Sequence, residues 1–417
     1  MSTKTVLKTP VFIVCGKSPI SSYGGGYSTY ALNLSRILTS LGYKVYILSV
    51  GKENTKEKTK FGTLLTFKSF LFDYHTTALP SLPFVSYVFA KHIEKFVTEN
   101  QIDKFIVWGI GPWGFTGSIL KKKFNHHLIF LDNYFTTIKN EWRGGLKALL
   151  SNDYGLIIKI KFLIVYYTVV QILAFFEKKV LTSADFIITN YQSTERILIS
   201  EFDVNPSKML RITFLTNIYT RKVDDKNLDK DSNLPKKYIL YLSRHDPRKG
   251  INYLLHAVKI LKERNKLKIP AIIAGRGEML ESNKRLAEKL NIKDSVQFLG
   301  FVNNPKPLLK NASIFCFPTV QEGAGALIIN EAMSLGIPII STKCDGIPED
   351  IVNNQSGILV EPQNSVELAN ALEKLMYDEK LAKTLGENAR KRFNKLYSYE
   401  KMKQDIKKII AISLMQN

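Results

Sequence analysis

Val11-Phe12-Ile13-Val14-Cys15 leads into Ser21-Ser22-Tyr23-Gly24-Gly25-Gly26; apolar residues follow at Tyr30, Leu34, Ile37, Leu38 and Leu41, then Gly42 and Val45-Tyr46-Ile47-Leu48. The outer two pieces are continuous apolar runs of strand length, as strands covered on both faces of a parallel sheet require. Between them the apolar spacing is helical and stops at glycine. Strand, glycine loop, helix and strand make a βαβ unit, whose first turn is a usual ligand crevice.

The alternation continues with Phe105-Ile106-Val107-Trp108, Leu128-Ile129-Phe130-Leu131 and Phe186-Ile187-Ile188-Thr189 as strands. A polar, charged stretch at 221–237 has no core pattern and reads as an interdomain linker. Strand then resumes at Tyr238-Ile239-Leu240-Tyr241-Leu242, with helix over 251–261, strand over 271–274 and helix over 279–290. Further strands are expected at 295–298, 314–317, 337–341 and 357–360. The fold class is therefore α/β: two facing, doubly wound, Rossmann-like domains with a cleft between them, at residues 1–225 and 226–395, followed by a C-terminal helix at 396–417.

Composition bounds the function. The chain has 417 residues, 45% of them hydrophobic, which suits two globular domains. Cys15, Cys316 and Cys344 are scattered, with no CxxC pair, so neither a disulfide framework nor a thiolate metal site is expected and a cytoplasmic setting fits. No apolar stretch of signal-peptide length precedes the first strand. The net charge is +22, spread over both halves: residues 1–225 carry 28 basic and 16 acidic side chains, the remainder 31 and 21. Solvated lysines explain this, and so does attraction to an anionic membrane surface. Nucleic acid is set aside, because no aromatic-spaced basic stripe or binding motif accompanies the charge.

Residues 156–176 are apolar apart from Lys159, Lys161, Thr168 and Gln171, and the uninterrupted part from Phe162 is too short to span a bilayer. Two readings stand: a buried helix of the first domain, which is favoured, and an interfacial helix flanked by lysines.

The chemistry lies in the second half. Thr319-Val320-Gln321-Glu322-Gly323-Ala324-Gly325-Ala326-Leu327-Ile328-Ile329-Asn330-Glu331 puts a carboxylate and a small-residue loop ahead of an apolar helix, with a second carboxylate inside it. Small residues let backbone N–H groups approach a ligand, and the helix start favours phosphate or sugar hydroxyls. Glu331 lies at a depth suited to a ribose diol. Ser243-Arg244-His245-Asp246-Pro247-Arg248-Lys249-Gly250 follows a strand and supplies two cations, Arg244 and Lys249, for a diphosphate.

These pieces, with Ala274-Gly275-Arg276-Gly277, Val296-Gln297-Phe298-Leu299-Gly300, Gly336-Ile337-Pro338 and Gly346-Ile347-Pro348-Glu349, resemble in order the retaining glycosyltransferases of family 4 over roughly 238–362. In the first domain Gly24-Gly25-Gly26 and Ser183-Ala184-Asp185 resemble the same family, as does Tyr397-Ser398-Tyr399-Glu400 at the C-terminal helix. The resemblance implies the GT-B fold and a metal-independent transfer with retention, using no cofactor beyond a UDP- or GDP-sugar donor. It implies hexosyl or N-acetylhexosaminyl transfer to a glycan or lipid-linked acceptor. A peripheral position on the inner membrane face is an expectation from the charge of +22 and the apolar run Phe162–Phe176.

By the same resemblance Arg244 and Lys249 bind the donor diphosphate, Glu331 the ribose, and Glu322 faces the transferred sugar. The amides of Ala324, Gly325, Ala326 and Leu327 touch sugar and phosphate beside Gly323, and Phe298 and Gly300 flank the base. Gly25 and Gly26 close over the phosphates. Two departures stand out. Glu322 and Glu331 have eight residues between them where most members have seven, and Asp132 or Asn133 stands where the family often has a sugar-facing histidine. Asp132 is taken as the catalytic candidate there. A nucleotide-sugar epimerase and a non-catalytic nucleotide-sugar-binding protein remain as alternatives, the first weakened by six ungrouped histidines.

Overall fold

The continuous apolar runs become parallel strands in a computed structural model, which describes residues 9–17, 26–68, 82–150, 156–212, 234–302, 304–322 and 324–416. The chain divides into two units. The first comprises Met1–Asn140, Val165–Leu215 and Tyr397–Asn417; the second comprises Glu141–Ile164 and Thr216–Leu396. The polar stretch read as a linker lies outside the described residues as far as 233.

The first unit holds an eight-stranded sheet built from β1 (Pro10–Lys17), β2 (Lys44–Gly51), β3 (Thr55–Thr59), β4 (Gly62–Lys68), β5 (Phe105–Ile110), β6 (Leu128–Tyr134), β7 (Phe186–Thr189) and β8 (Met209–Arg211). Its order is β3-β4-β2-β1-β5-β6-β7-β8, and every pairing is parallel except β3 with β4. Val11 to Cys15 and Phe105 to Trp108 are all fully buried, as strands with helices on both faces must be. β3 is an exposed edge strand, Thr-Lys-Glu-Lys-Thr, whose charges discourage further pairing. Helix Gly26–Ser40 buries Tyr30, Leu34, Ile37 and Leu38, the positions its spacing marks. Helix Tyr399–Gln416 groups with this unit, where the Tyr399 hydroxyl lies 3.4 Å from Ser40 Oγ and the Tyr191 and Tyr397 hydroxyls are also 3.4 Å apart.

The second unit has a six-stranded, all-parallel sheet: β9 (Ile239–Leu242), β10 (Ala271–Ala274), β11 (Val296–Gly300), β12 (Ile314–Phe317), β13 (Ile339–Thr342) and β14 (Ile358–Val360). The order β11-β10-β9-β12-β13-β14 is the Rossmann order, reversing direction between β9 and β12.

One expectation changes. The favoured reading of 156–176 as a buried helix does not hold: the helix runs continuously over Lys159–Ser183, and only 22% of its most apolar window is buried. By length and composition it could cross a membrane. One side packs through Val170, Leu173, Ala174, Val180 and Leu181, while Ile160, Ile164, Tyr167, Ile172 and Phe175 are exposed. A helix apolar on all sides gives no sequence signal of which side is covered.

Close packing of helix on sheet is visible at Gly117, where an added β-carbon would lie 2.3 Å from the Phe130 ring. Gly117→Ala should therefore destabilise the fold by about 1–3 kcal/mol through overpacking, outweighing a helix-propensity gain of at most about 1 kcal/mol. Urea unfolding measures this, and a gain in stability would show that the helix can shift off the sheet.

Candidate active site

The reversal between β9 and β12 opens a crevice at the carboxyl ends of two adjacent strands. The segments that leave those strands carry the predicted cations and the first carboxylate. After β9, Asp246 caps the short turn Pro247–Lys249, accepting from the Arg248 amide at 3.0 Å. Gly250 ends the turn at φ +69°, with the Pro318 carbonyl 1.8 Å from where a β-carbon would stand. Only glycine permits both that conformation and that approach.

The turn sorts its three cations by role. Arg248 is buried; it reaches Glu141 Oε1 at 2.8 Å and Asp246 Oδ1 at 3.4 Å, and its carbonyl accepts from the Thr319 hydroxyl at 2.9 Å and the Val320 amide at 2.6 Å. It ties the β9 and β12 loops together. Burial pushes its guanidinium pKa down, but Asp246, Glu141 and Glu322 outweigh this and raise it. Burial likewise pushes the Asp246 carboxyl up, yet Arg248, Arg244 and Lys249 hold it well below the usual carboxylate range. Arg244, by contrast, has a side chain 59% exposed, only 3.8 Å from Asp246 at its nearest carboxylate.

Lys249 faces the β12 loop. Its Nζ lies 2.5 Å from Glu322 Oε1, with both side chains 10% exposed, and 5.6 Å from the centre of the Phe317 ring. The Thr319 hydroxyl donates to the same Glu322 oxygen at 2.8 Å. Lys249 and Glu322 are therefore in direct contact although they lie 73 positions apart in sequence. Glu331 sits one turn into helix Leu327–Leu335, whose start is formed by buried Ala324 and Ala326, with half-buried Gly325 and Leu327. The first amides of such a helix have no intrahelical partner and suit an anion or hydroxyl.

On the other side of β9, Phe298 lies 6.1 Å, ring to ring, from His245, and the Gly300 carbonyl accepts from the Gly275 amide at 2.7 Å. Beside Gly300, at φ +67°, there is open space. His245 is fully buried, with Nδ1 3.1 Å from Asn283 Nδ2. Burial, aided by Lys284, lowers its pKa to about 4, so it is neutral and braces the loop behind Arg244.

Sequence reasoning missed Asp345. It follows β13, the strand beside β12, in the left-handed region at φ +45°, and its Oδ2 accepts from the Glu322 amide at 2.6 Å. A carboxylate just beyond a strand, next to Gly346-Ile347-Pro348-Glu349, was the available signal. Arg248 and Glu141 were also passed over; their pairing spans distant segments and leaves no local pattern.

In the first unit Asp132 is fully buried, and β-carbons added at Gly109 or Gly114 would lie 2.0 or 2.1 Å from its Oδ1. Burial first, and the Glu177 charge second, push its pKa far above the ordinary range. Gly26 is the exposed first residue of its helix, while Gly25 and Gly323 lie outside the described residues. Among the described residues no group of three or more His, Cys, Asp or Glu side chains could hold a metal.

Comparison with known proteins follows this geometry. Residues 224–392 match the family model of the glycosyl transferases group 1. A glycosyltransferase of Methanocaldococcus jannaschii is 25% identical over 401 residues, 94% of this chain and 95% of that one. The capsular polysaccharide biosynthesis glycosyltransferase CapM of Staphylococcus aureus is 29% identical, covering 54% of this chain and 61% of its own. A Campylobacter jejuni N-acetylgalactosaminyltransferase, whose name gives a diphospho-undecaprenol substrate, is 29% identical over 50% of this chain and 55% of that protein. Among solved structures, sucrose-phosphate synthase from Thermosynechococcus elongatus superimposes with TM-score 0.76 at 19% identity, covering 98% of this chain and all of the other. WaaG, from lipopolysaccharide biosynthesis, gives 0.67 at 16%, covering 94% and 98%. The shared fold is GT-B: two Rossmann-like α/β units.

Two outcomes are expected. Asp345→Gly keeps the left-handed turn but removes the acceptor for the Glu322 amide; kcat/KM should fall at least about tenfold, roughly 1.4 kcal/mol, and unchanged turnover would make Asp345 a bystander. Burial holds the Asp132 carboxyl above its ordinary range, so its stabilisation is whole below that range and is lost as pH rises through the raised native value. Above the ordinary carboxyl range the stability of Asp132→Asn relative to wild type should therefore increase with pH. Parallel urea titrations that show no pH trend would mean the carboxyl is solvated.

Proposed function

We propose that this chain, whose residues 224–392 match the glycosyl transferases group 1 model, is a glycosyltransferase that moves a hexosyl or N-acetylhexosaminyl group from a UDP- or GDP-sugar to a glycan or lipid-linked acceptor, with retention and without a metal. The observation that carries this reading is the Lys249–Glu322 contact at the strand reversal, with the exposed Arg244 on the same turn. A cation held against a carboxylate in a crevice is suited to a ligand that offers phosphate to one and sugar hydroxyls to the other.

In this reading Arg244 takes the diphosphate by its planar fork and Lys249 as a point charge. The acceptor hydroxyl oxygen bonds to the anomeric carbon as the bond from that carbon to the diphosphate oxygen breaks; the electron pair of the broken bond stays on the leaving phosphate, which takes up the hydroxyl proton. Arg244, Lys249 and the amides at the start of helix Leu327–Leu335 stabilise that charge because they are already in place, so little reorganisation accompanies the step. Glu322 hydrogen-bonds the transferred sugar, and Glu331 the ribose. Phe298 and Gly300 flank the base, while Gly25 and Gly26 close over the phosphates. Retention follows from the resemblance to the family and fits a leaving phosphate that assists attack on the face it departs from.

The Campylobacter and Staphylococcus relatives, by their names, act on a diphospho-undecaprenol glycan and in capsule synthesis, which supports the acceptor class. A peripheral place on an anionic membrane face suits such an acceptor and the charge of +22.

Thermal shift with UDP, GDP, ADP, CDP and dTDP and their sugars, with and without EDTA, tests the donor. One base should raise the melting temperature regardless of EDTA, by about 2.7 kcal/mol of stabilisation at 100 times Kd. Lys249→Ala and Glu331→Ala should each lower turnover at least about a hundredfold, or about 2.7 kcal/mol. Losses below about threefold would remove both residues from the site.

A further inference from the structure

Helix Lys159–Ser183 and the turn that leads into it leave an apolar side exposed. Ile157, Ile160, Ile164, Tyr167, Ile172 and Phe175 are each between 47% and 83% exposed. They recur at intervals of three to five residues from Leu156–Val165, through the π turn Tyr166–Val170, into Gln171–Ser183. The result is an apolar ridge about 27 Å long at 1.5 Å per residue. Soluble surfaces scatter exposed apolar residues singly; a continuous file marks an interaction site.

The same side carries exposed Lys161, Lys178 and Lys179, and none of them has a carboxylate within ion-pair distance among the described residues. Lys179 Nζ instead lies 4.5 Å from the centre of the Phe175 ring, with its stem along the ridge. Lysines elsewhere do pair: Lys121 with Asp185 at 2.7 Å and Lys123 with Glu94 at 2.6 Å.

The helix cannot leave the protein to span a bilayer. Its other side is fastened through buried Leu173, Ala174, Val180 and Leu181. The Ser183 and Ser118 hydroxyls lie 2.8 Å apart, and buried Glu177 accepts from the Ile138 amide with both oxygens, at 3.1 and 3.2 Å. Extraction would expose that core side and drag a carboxylate into hydrocarbon.

We propose that this ridge is a docking surface for a bilayer bearing anionic headgroups, on which the helix lies in the interfacial plane. A narrow convex file suits entry into the headgroup–acyl boundary, whereas a stable protein interface needs a broad patch of about 800 Å² per partner. The tyrosine suits an interface between water and hydrocarbon, and the unpaired lysines reach back to lipid phosphates. This deepens the reading of a lipid-linked acceptor, to which the ridge would bring the enzyme, but the surface itself does not depend on the donor chemistry.

The test is flotation of the full chain with phosphatidylcholine vesicles, with and without phosphatidylglycerol. The wild type should float with the anionic vesicles. Combined Ile164→Ser, Ile172→Ser and Phe175→Ser should weaken partition at least about tenfold, and Lys161→Glu with Lys178→Glu and Lys179→Glu should abolish the preference for anionic lipid. Both variants should keep the wild-type melting temperature and the nucleotide-induced shift, since the substituted side chains are exposed. Wild type that fails to float, or a serine variant that floats equally well, overturns the proposal. So does self-association by light scattering that the serine variant loses without any flotation, which would assign the ridge to a second copy. Flotation without any nucleotide shift leaves the docking surface standing and removes the proposed donor site.

Discussion

Parallel strands cannot follow one another directly: each must be reached by a crossover that covers a face of the sheet. In the second unit this constraint fixes almost everything of chemical interest. Crossovers that run outward from β9 in one direction and from β12 in the other leave a gap at the carboxyl ends of those two neighbours. The gap is lined by the two loops that cannot be filled by a crossing helix. Lys249 and Glu322 meet there because their strands are adjacent, and Arg248 holds the loops in register through its carbonyl and its buried ion pairs. Arg248 provides the support and Lys249 faces Glu322, although the two are neighbours in sequence and carry the same charge.

Much of this was legible in sequence because the signals are local and periodic. Apolar runs became β1, β2, β5, β6, β7 and β9 to β14. Arg244, Lys249, Glu322 and Glu331 were identifiable from their positions relative to those runs. The strands that escaped notice were β3, β4 and β8. β3 is polar and exposed, and β8 has only three residues, so neither carries a pattern of burial on both faces.

The remaining discrepancies share a cause. Asp132 sits at the expected strand end, and the closeness of Gly109 and Gly114 to its carboxyl is visible only in the packing. The Lys159–Ser183 helix offers apolar residues in every direction, so composition could not say which of them are covered. Asp345 acts through an amide 23 positions away, a contact set by adjacent strands rather than by spacing along the chain. Local pattern determines the elements; contacts across strands determine what their ends can do.

The helix Tyr399–Gln416 gives the first unit a peculiar history. Met402, Ile406, Ile409 and Ile410 are buried in it, and Tyr397 and Tyr399 reach residues that were synthesised some two to four hundred positions earlier. During translation the second unit, made of Glu141–Ile164 and the continuous stretch Thr216–Leu396, is in hand before the first can be finished. The unit that emerges first is thus completed last, and until then it presents an apolar seam where that helix will lie. An exposed seam of this kind is a natural substrate for a chaperone, which would make the order of synthesis a determinant of yield.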